Sequence, residues 1–284
     1  MDGVRRGTGD WHDHRMPDSS WREVADRVFQ RRYDPYDVTV AVIAGADGLA
    51  VVDTRTDLAE AAELRVHLRQ LSPAPVRWVV NTHVHFDHVG GNAEFVAPRQ
   101  LPPAELWGHR AMAAALSTGE TDPDWTRAGY ELPPRVVPER LVDRSSSLDL
   151  GDRTVELFHP GRGHTDGDLV VLVPDVDVLL AGDLVEESGP PALGPDSHPL
   201  DWAGTLDTLL TRTTPDTVVV PGHGAPVDPA FVRAQRDALG RLADRIRALH
   251  QAGVPVQDAL AEDGWPYPAS ALTSAVACGY AQLG

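Results

Sequence analysis

The chain has no lysine: all 25 of its Lys+Arg residues are arginine. That excludes any mechanism built on a lysine Schiff base or a phosphate-loop lysine. It has one cysteine, Cys278, so no intrachain disulfide framework exists and a cytoplasmic location is expected. Positive charge is scarce overall. Twenty-five arginines against 42 acidic residues give a formal net charge of −17, which repels phosphate backbones and argues against a nucleic-acid partner. Long apolar runs are also missing. None approaches the roughly 18 residues of a membrane-spanning helix, and residues 1–16 lack the apolar stretch of a signal peptide. No membrane partner is expected. With 42% hydrophobic and 24% charged residues over 284 positions, the composition is globular and the length suits one large core.

The pattern of segments divides the chain 1–284 into a polar arm over 1–20, a core over 21–228 and C-terminal helices over 229–284. Short β-branched runs at 38–43 and 49–52, split by Gly45-Ala46-Asp47-Gly48, read as a hairpin. Ala61, Leu64, Leu68 and Leu71 fall at helical spacing behind a capping pair, Asp57 and Glu60. Further strands are expected at 76–80, 106–107, 154–158, 169–173, 178–181 and 217–220, with a helix over 202–210. Asp228-Pro229 starts a long helix to about 249, and two short helices flank Trp265-Pro266. The C-terminal helices either pack on the core or serve a homodimer. Tight turns between some strands and helices between others require mixed sheets. The Gly/Pro-rich stretch 186–200 reads as a lid or rim.

The decisive segment is Asn81-Thr82-His83-Val84-His85-Phe86-Asp87-His88-Val89-Gly90-Gly91. It sets three histidines and a carboxylate directly after a buried strand. Imidazole and carboxylate suit zinc, and one catalytic zinc needs three protein ligands plus water. Four ligand-type side chains therefore suggest a second metal; the plain alternative is a solvated, His-rich turn. Three more candidates stand at or beyond strand ends beside glycines: His164 after Gly163, Asp183 after Gly182, and His223 after Gly222.

In this order and spacing the residues resemble the metallo-β-lactamase superfamily, over about 38–227. The resemblance implies an α/β fold, a four-layer αββα sandwich of two mixed sheets flanked by helices. It implies two Zn²⁺ per chain, with iron or manganese as alternatives. His83, His85 and His164 would hold the first metal, Asp87, His88 and His223 the second, and Asp183 would bridge them. Asp53 would brace the histidine loop. Asp87 and His223 are the candidate catalytic residues.

Such a pair lowers the pKa of water from 15.7 toward about 7, so hydroxide is available without a serine or cysteine nucleophile. With Asp87, Asp183 and one hydroxide, the formal charge of the site is about +1, which suits an anionic transition state. The expected activity is hydrolysis of a small-molecule amide, ester, lactone or thioester. The alternatives are an iron-dependent dioxygenase of the persulfide type and a β-lactam-hydrolysing enzyme. The secreted lactamases carry cysteine at the bridging position and often a substrate-binding lysine, and this chain has Asp183 and no lysine. Arg162, Trp107, Trp125, Tyr130, His198 and Trp202 are candidates for substrate contact.

Overall fold

Alternating apolar side chains make β3 (Val38–Gly45) and β4 (Gly48–Val52) two-faced. Val40, Val42, Leu49 and Val51 turn one way, and Ala41, Ile43, Ala50 and Val52 turn the other. Both faces are buried, which explains runs that are apolar throughout. The structure, a computed structural model, describes residues 20–96, 102–118 and 129–284. The arm over 1–19 and Trp125 lie outside the described residues.

The first face packs under α1 (Leu58–Leu71) and α3 (Asn92–Val96), where Ala61, Leu64, Leu68 and Phe95 close the layer. The second face meets an opposing sheet: Ile43, Val52 and Val80 of one side pack with Leu157, Val171, Leu180 and Val220 of the other. Beyond that sheet, Trp202 and Leu206 of α5 (Trp202–Leu210), Leu239 and Ile246 of α6 (Pro229–Gln251) and Val276 of α7 (Thr273–Leu283) cover Leu172, Leu179 and Val219. This is the expected αββα stack. The C-terminal helices pack on it.

The remaining strands are β1 (Arg22–Ala25), β2 (Val28–Tyr33), β5 (Val76–Val80), β6 (Glu105–His109), β7 (Arg140–Val142), β8 (Ser145–Asp149), β9 (Thr154–Phe158), β10 (Val170–Val173), β11 (Val178–Glu186) and β12 (Val218–His223). Hydrogen bonding follows the order β7-β6-β5-β4-β3-β12-β11-β10-β9-β8, with β2 also on β3 and β1 on β2. The two sheets are therefore joined, and the join is one registered pair, His223 opposite Val38. Parallel pairing of β4 with β5 and of β11 with β12 sends four C-terminal strand ends to one edge. Asp53 and the His83–His88 loop follow β4 and β5, His223 closes β12, and Asp183 lies within β11, three residues before its end, because that strand runs past the expected 178–181.

Helix starts follow their capping chemistry. Asp57 accepts from the Glu60 amide at 2.8 Å, and Asp228 from the Phe231 amide at 2.9 Å. Glu60 reaches back to the Thr56 amide at 3.4 Å, one residue short of a reciprocal box. Several elements carry no sequence signal of this kind. β2 contains Gln30, Arg31 and Arg32, and α4 (Arg110–Ser117) is capped by His109, whose Nδ1 accepts from the Ala111 amide at 3.2 Å. Among the described residues no helix is long and apolar enough to cross a membrane.

Candidate metal centre

The histidine loop is shaped by close backbone contact. His85 is the extended N-cap of the short helix α2 (Phe86–Val89), which puts Asp87 and His88 in its single turn. A Cβ on Gly90 would stand 1.7 Å from the Thr56 carbonyl oxygen, so no larger residue lets the turn lie against 54–56. The loop is then laced in place. The Thr54 amide and the Asn81 side chain both donate to the His88 carbonyl, at 2.9 and 3.1 Å, and Asn92 Nδ2 donates to Asn81 Oδ1 at 2.8 Å.

All seven residues named from the sequence gather in one cluster. Ligand atoms of His83, His85, His164 and Asp183 lie within 4.8 Å of one another, and so do those of Asp87, His88 and His223. Asp183 stands between the groups. Its Oδ2 is 3.4 Å from His164 Nε2, 3.7 Å from His83 Nε2 and 3.3 Å from His223 Nε2, and its Oδ1 is 3.3 Å from His88 Nε2. Asp87 Oδ2 is 3.4 Å from His223 Nε2 and 3.7 Å from His88 Nε2.

The outward nitrogen of every ring faces an acceptor. His88 Nδ1–H donates to Asp53 Oδ2 at 2.8 Å, His164 Nδ1–H to the Ala192 carbonyl at 2.9 Å, and His223 Nδ1–H to the Tyr36 carbonyl at 2.7 Å. His85 Nε2–H donates to Asp196 Oδ2 at 2.9 Å. The Thr82 hydroxyl donates to Asp53 Oδ2 at 2.8 Å, so its oxygen accepts from His83 Nδ1–H at 3.0 Å. These acceptors fix the tautomers and leave one lone pair per ring pointing inward. Those lone pairs crowd: His85 Nδ1 is 2.7 Å from His164 Nε2, and His88 Nε2 is 3.3 Å from His223 Nε2.

Such a centre needs cations. His83 Nε2 and Asp183 Oδ1 are buried without a hydrogen-bond partner, a cost of about 1–3 kcal/mol each unless a cation meets them. Two nitrogens on one tetrahedral zinc, at about 2.0–2.1 Å each, stand roughly 3.3–3.4 Å apart, the spacing of His88 and His223. Metal-free, protons take the cations' place. Burial opposes charge on His85 and His88, yet Asp196 (for His85) and Asp183, Asp87 and Asp53 (for His88) raise both to about 9. Burial and the neighbouring His85, whose Nδ1 is 2.7 Å from His164 Nε2, lower His164 to about 4. Burial also holds His83 well below its usual value, whereas Asp183 lifts His223 well above it against burial. Asp183 itself, buried among four imidazoles, is held well below the carboxylate range.

The residues named for substrate contact fare differently. Arg162 is spent on the surface, its Nε 2.8 Å from Asp201 Oδ2. Trp202 is buried, its indole N–H donates to the Leu184 carbonyl at 3.2 Å, and its ring braces His164 at 5.6 Å between centroids. Trp107 packs against the core between the sheets, and His198 pairs with Asp166 at 2.8 Å. Tyr130 keeps a place beside the site, in an aromatic group with Tyr36 and Phe86. The stretch after Glu186 is not a free lid, since its Ala192 and Asp196 hold two of the rings. Asp196 and Tyr36 carry no signal in the sequence, because they act from a loop and through a backbone carbonyl, with no motif spacing to the histidines.

Comparison with known proteins agrees with this geometry. A sequence model of the Metallo-beta-lactamase superfamily matches residues 33–223. A metallo-beta-lactamase type 2 from Bacillus sp. (strain 170) is 30% identical over 200 residues, 70% of this chain and 71% of that protein. An acyl-coenzyme A thioesterase from Gallus gallus is 30% identical over 162 residues, 51% of this chain and 55% of that one. The sec-alkylsulfatase Pisa1 from Pseudomonas sp. shares the fold at a TM-score of 0.73 and 19% identity, over 93% of this chain and 50% of its own. The chain is a hydrolase-type enzyme and belongs to the metallo-beta-lactamase superfamily.

Proposed function

We propose that the chain is a dinuclear zinc hydrolase of a small-molecule ester, lactone, thioester or amide, working in the cytoplasm without nucleic-acid or membrane partners. The observation that carries this is the pair of ligand groups meeting at Asp183, with every outward ring nitrogen already committed to an acceptor. His83, His85 and His164 would hold one zinc, Asp87, His88 and His223 the other, and Asp183 both. When bound, the metals supply Lewis acidity and water activation near neutral pH. Asp87 presents a carboxylate able to orient a water or take its proton, and His223 is fixed by the Tyr36 carbonyl. Tyr36, Phe86 and Tyr130 offer an apolar wall for an acyl group.

The relatives act on different bonds, by their names a β-lactam, an acyl-coenzyme A thioester and an alkyl sulfate ester. Asp183 in place of a bridging cysteine and the absence of lysine favour ester, lactone and thioester substrates over β-lactams. A persulfide dioxygenase needs one two-His, one-carboxylate iron site. The complete second group, Asp87, His88 and His223, favours hydrolysis. The test is elemental analysis of the purified protein, followed by β-lactam, lactone and thioester panels before and after chelation. Two zinc ions per chain and chelator-sensitive hydrolysis are expected; turnover indifferent to chelation would overturn the reading.

A further inference from the structure

Parallel pairing of β11 with β12 runs three residues past Asp183 and places Glu186 in register with His223. Glu186 is 6% exposed, and a carboxylate oxygen of it lies within 4.8 Å of the ligand atoms of Asp183 and His223, which form a third compact group. Its position is built. The Glu186 amide donates to Gln235 Oε1 at 3.0 Å, and Gln235 Nε2 in turn donates to the Leu184 carbonyl at 2.8 Å, tying the strand end to α6. The Ser188 hydroxyl donates to Glu186 Oε1 and so orients the carboxylate. Beside it, Asp183 Oδ1 is buried without a hydrogen-bond partner.

We propose that Glu186 is a third carboxylate of the second metal position, joining Asp87 and Asp183 there and making that position oxygen-rich. This rests on the two-metal reading above. The first position is offered three imidazoles and one shared carboxylate. The second is offered two imidazoles and up to three carboxylates, a set that suits a harder divalent cation such as Mn²⁺ better than the imidazole-rich first set does. Glu186 thereby sets the metal preference of the second position.

Glu186→Gln tests it. The amide keeps an oxygen for the Ser188 hydroxyl and the same volume but loses the charge, and circular dichroism verifies the fold. The full-length protein, stripped and reloaded, is titrated with Mn²⁺ followed by electron paramagnetic resonance, and separately with Zn²⁺ against a competing chelator. Expected is a second-site Mn²⁺ affinity at least tenfold weaker in Glu186→Gln, a smaller loss for Zn²⁺, and partial recovery of Mn²⁺ in Glu186→Asp. Wild type binding two ions while Glu186→Gln binds both as tightly would overturn the role of Glu186 and leave the two-metal reading standing. A wild-type protein that binds no second ion of either kind overturns both.

Discussion

Asp53 joins the scaffold to the metal centre, and Asp53→Asn measures how much that joint carries. Its backbone sits in the left-handed region at φ 65°, which asparagine tolerates as well as aspartate. Its carboxylate, 2% exposed, accepts three bonds: the Thr82 amide at 2.9 Å, the Thr82 hydroxyl at 2.8 Å and His88 Nδ1–H at 2.8 Å. The asparagine oxygen retains the first. Its NH₂ then faces two donors where the carboxylate offered a lone pair. Two charge-assisted bonds of about 1.5–3 kcal/mol each are lost, so the metal-free protein should lose roughly 3–6 kcal/mol, less whatever rotation of Thr82 and His88 recovers. If His88 relieves the clash by moving its proton to Nε2, the lone pair leaves the centre, and second-site zinc affinity should fall about 10–100-fold. Denaturant unfolding of the metal-free protein reads the first effect and zinc titration against a chelator the second. Stability within about 0.5 kcal/mol of wild type, together with unchanged zinc affinity, would refute the reasoning.

His83→Ala and His164→Ala should each empty the first position and cut turnover by several orders of magnitude, read by elemental analysis and initial rates; near-normal activity in either would sink the assignment. Gly222→Ala should damage the centre without touching a ligand, because its Cβ would stand 1.9 Å from Asp183 Oδ1; unaltered metal content would contradict this close approach. The metal-free protein should also lose stability as pH rises. His85 and His88 have folded pKa values of about 9, above the unfolded value of about 6.5, so their contribution is complete below about pH 6.5 and disappears as pH passes about 9. Zinc-loaded protein holds the same rings neutral and should lack that decline. Thermal unfolding with chelator and with zinc compares the two, and a stability that rises over this window without metal would reverse the sign argued here.

What could be read from the sequence follows from what each residue needs nearby. The His83–His88 loop is legible because its candidate ligands fall within six consecutive residues, directly after a buried strand and before a Gly-Gly pair. His164, Asp183 and His223 are legible as a set because each is preceded by a glycine near the end of an apolar run; the strands extend beyond those runs, so Asp183 lies inside β11 and His223 closes β12. β2 is hidden because Gln30, though buried, gives its amide to the Gly224 carbonyl at 3.0 Å, a partner 194 residues away. Arg162 misleads for a related reason: it stands two residues before His164 in the chain, but its side chain lies on the surface and its charge is taken up by Asp201 at the start of α5, 39 residues away.

The groups that tune the centre are the least legible, and they share a physical cause. A ligand must present a particular atom to the metal, so its residue type is restricted and recognisable. The partner that fixes a ligand's tautomer need only offer an oxygen, and here backbone carbonyls of Tyr36 and Ala192 serve as well as the side chains of Asp53 and Asp196. A carbonyl leaves no trace in residue type. The same freedom explains why the stretch beyond Glu186 is rich in glycine and proline and still well placed. Its task is to bring one carbonyl and one carboxylate to His164 and His85, and backbone shape performs it. Deleting part of that stretch should therefore loosen the first metal position before it alters access to the centre.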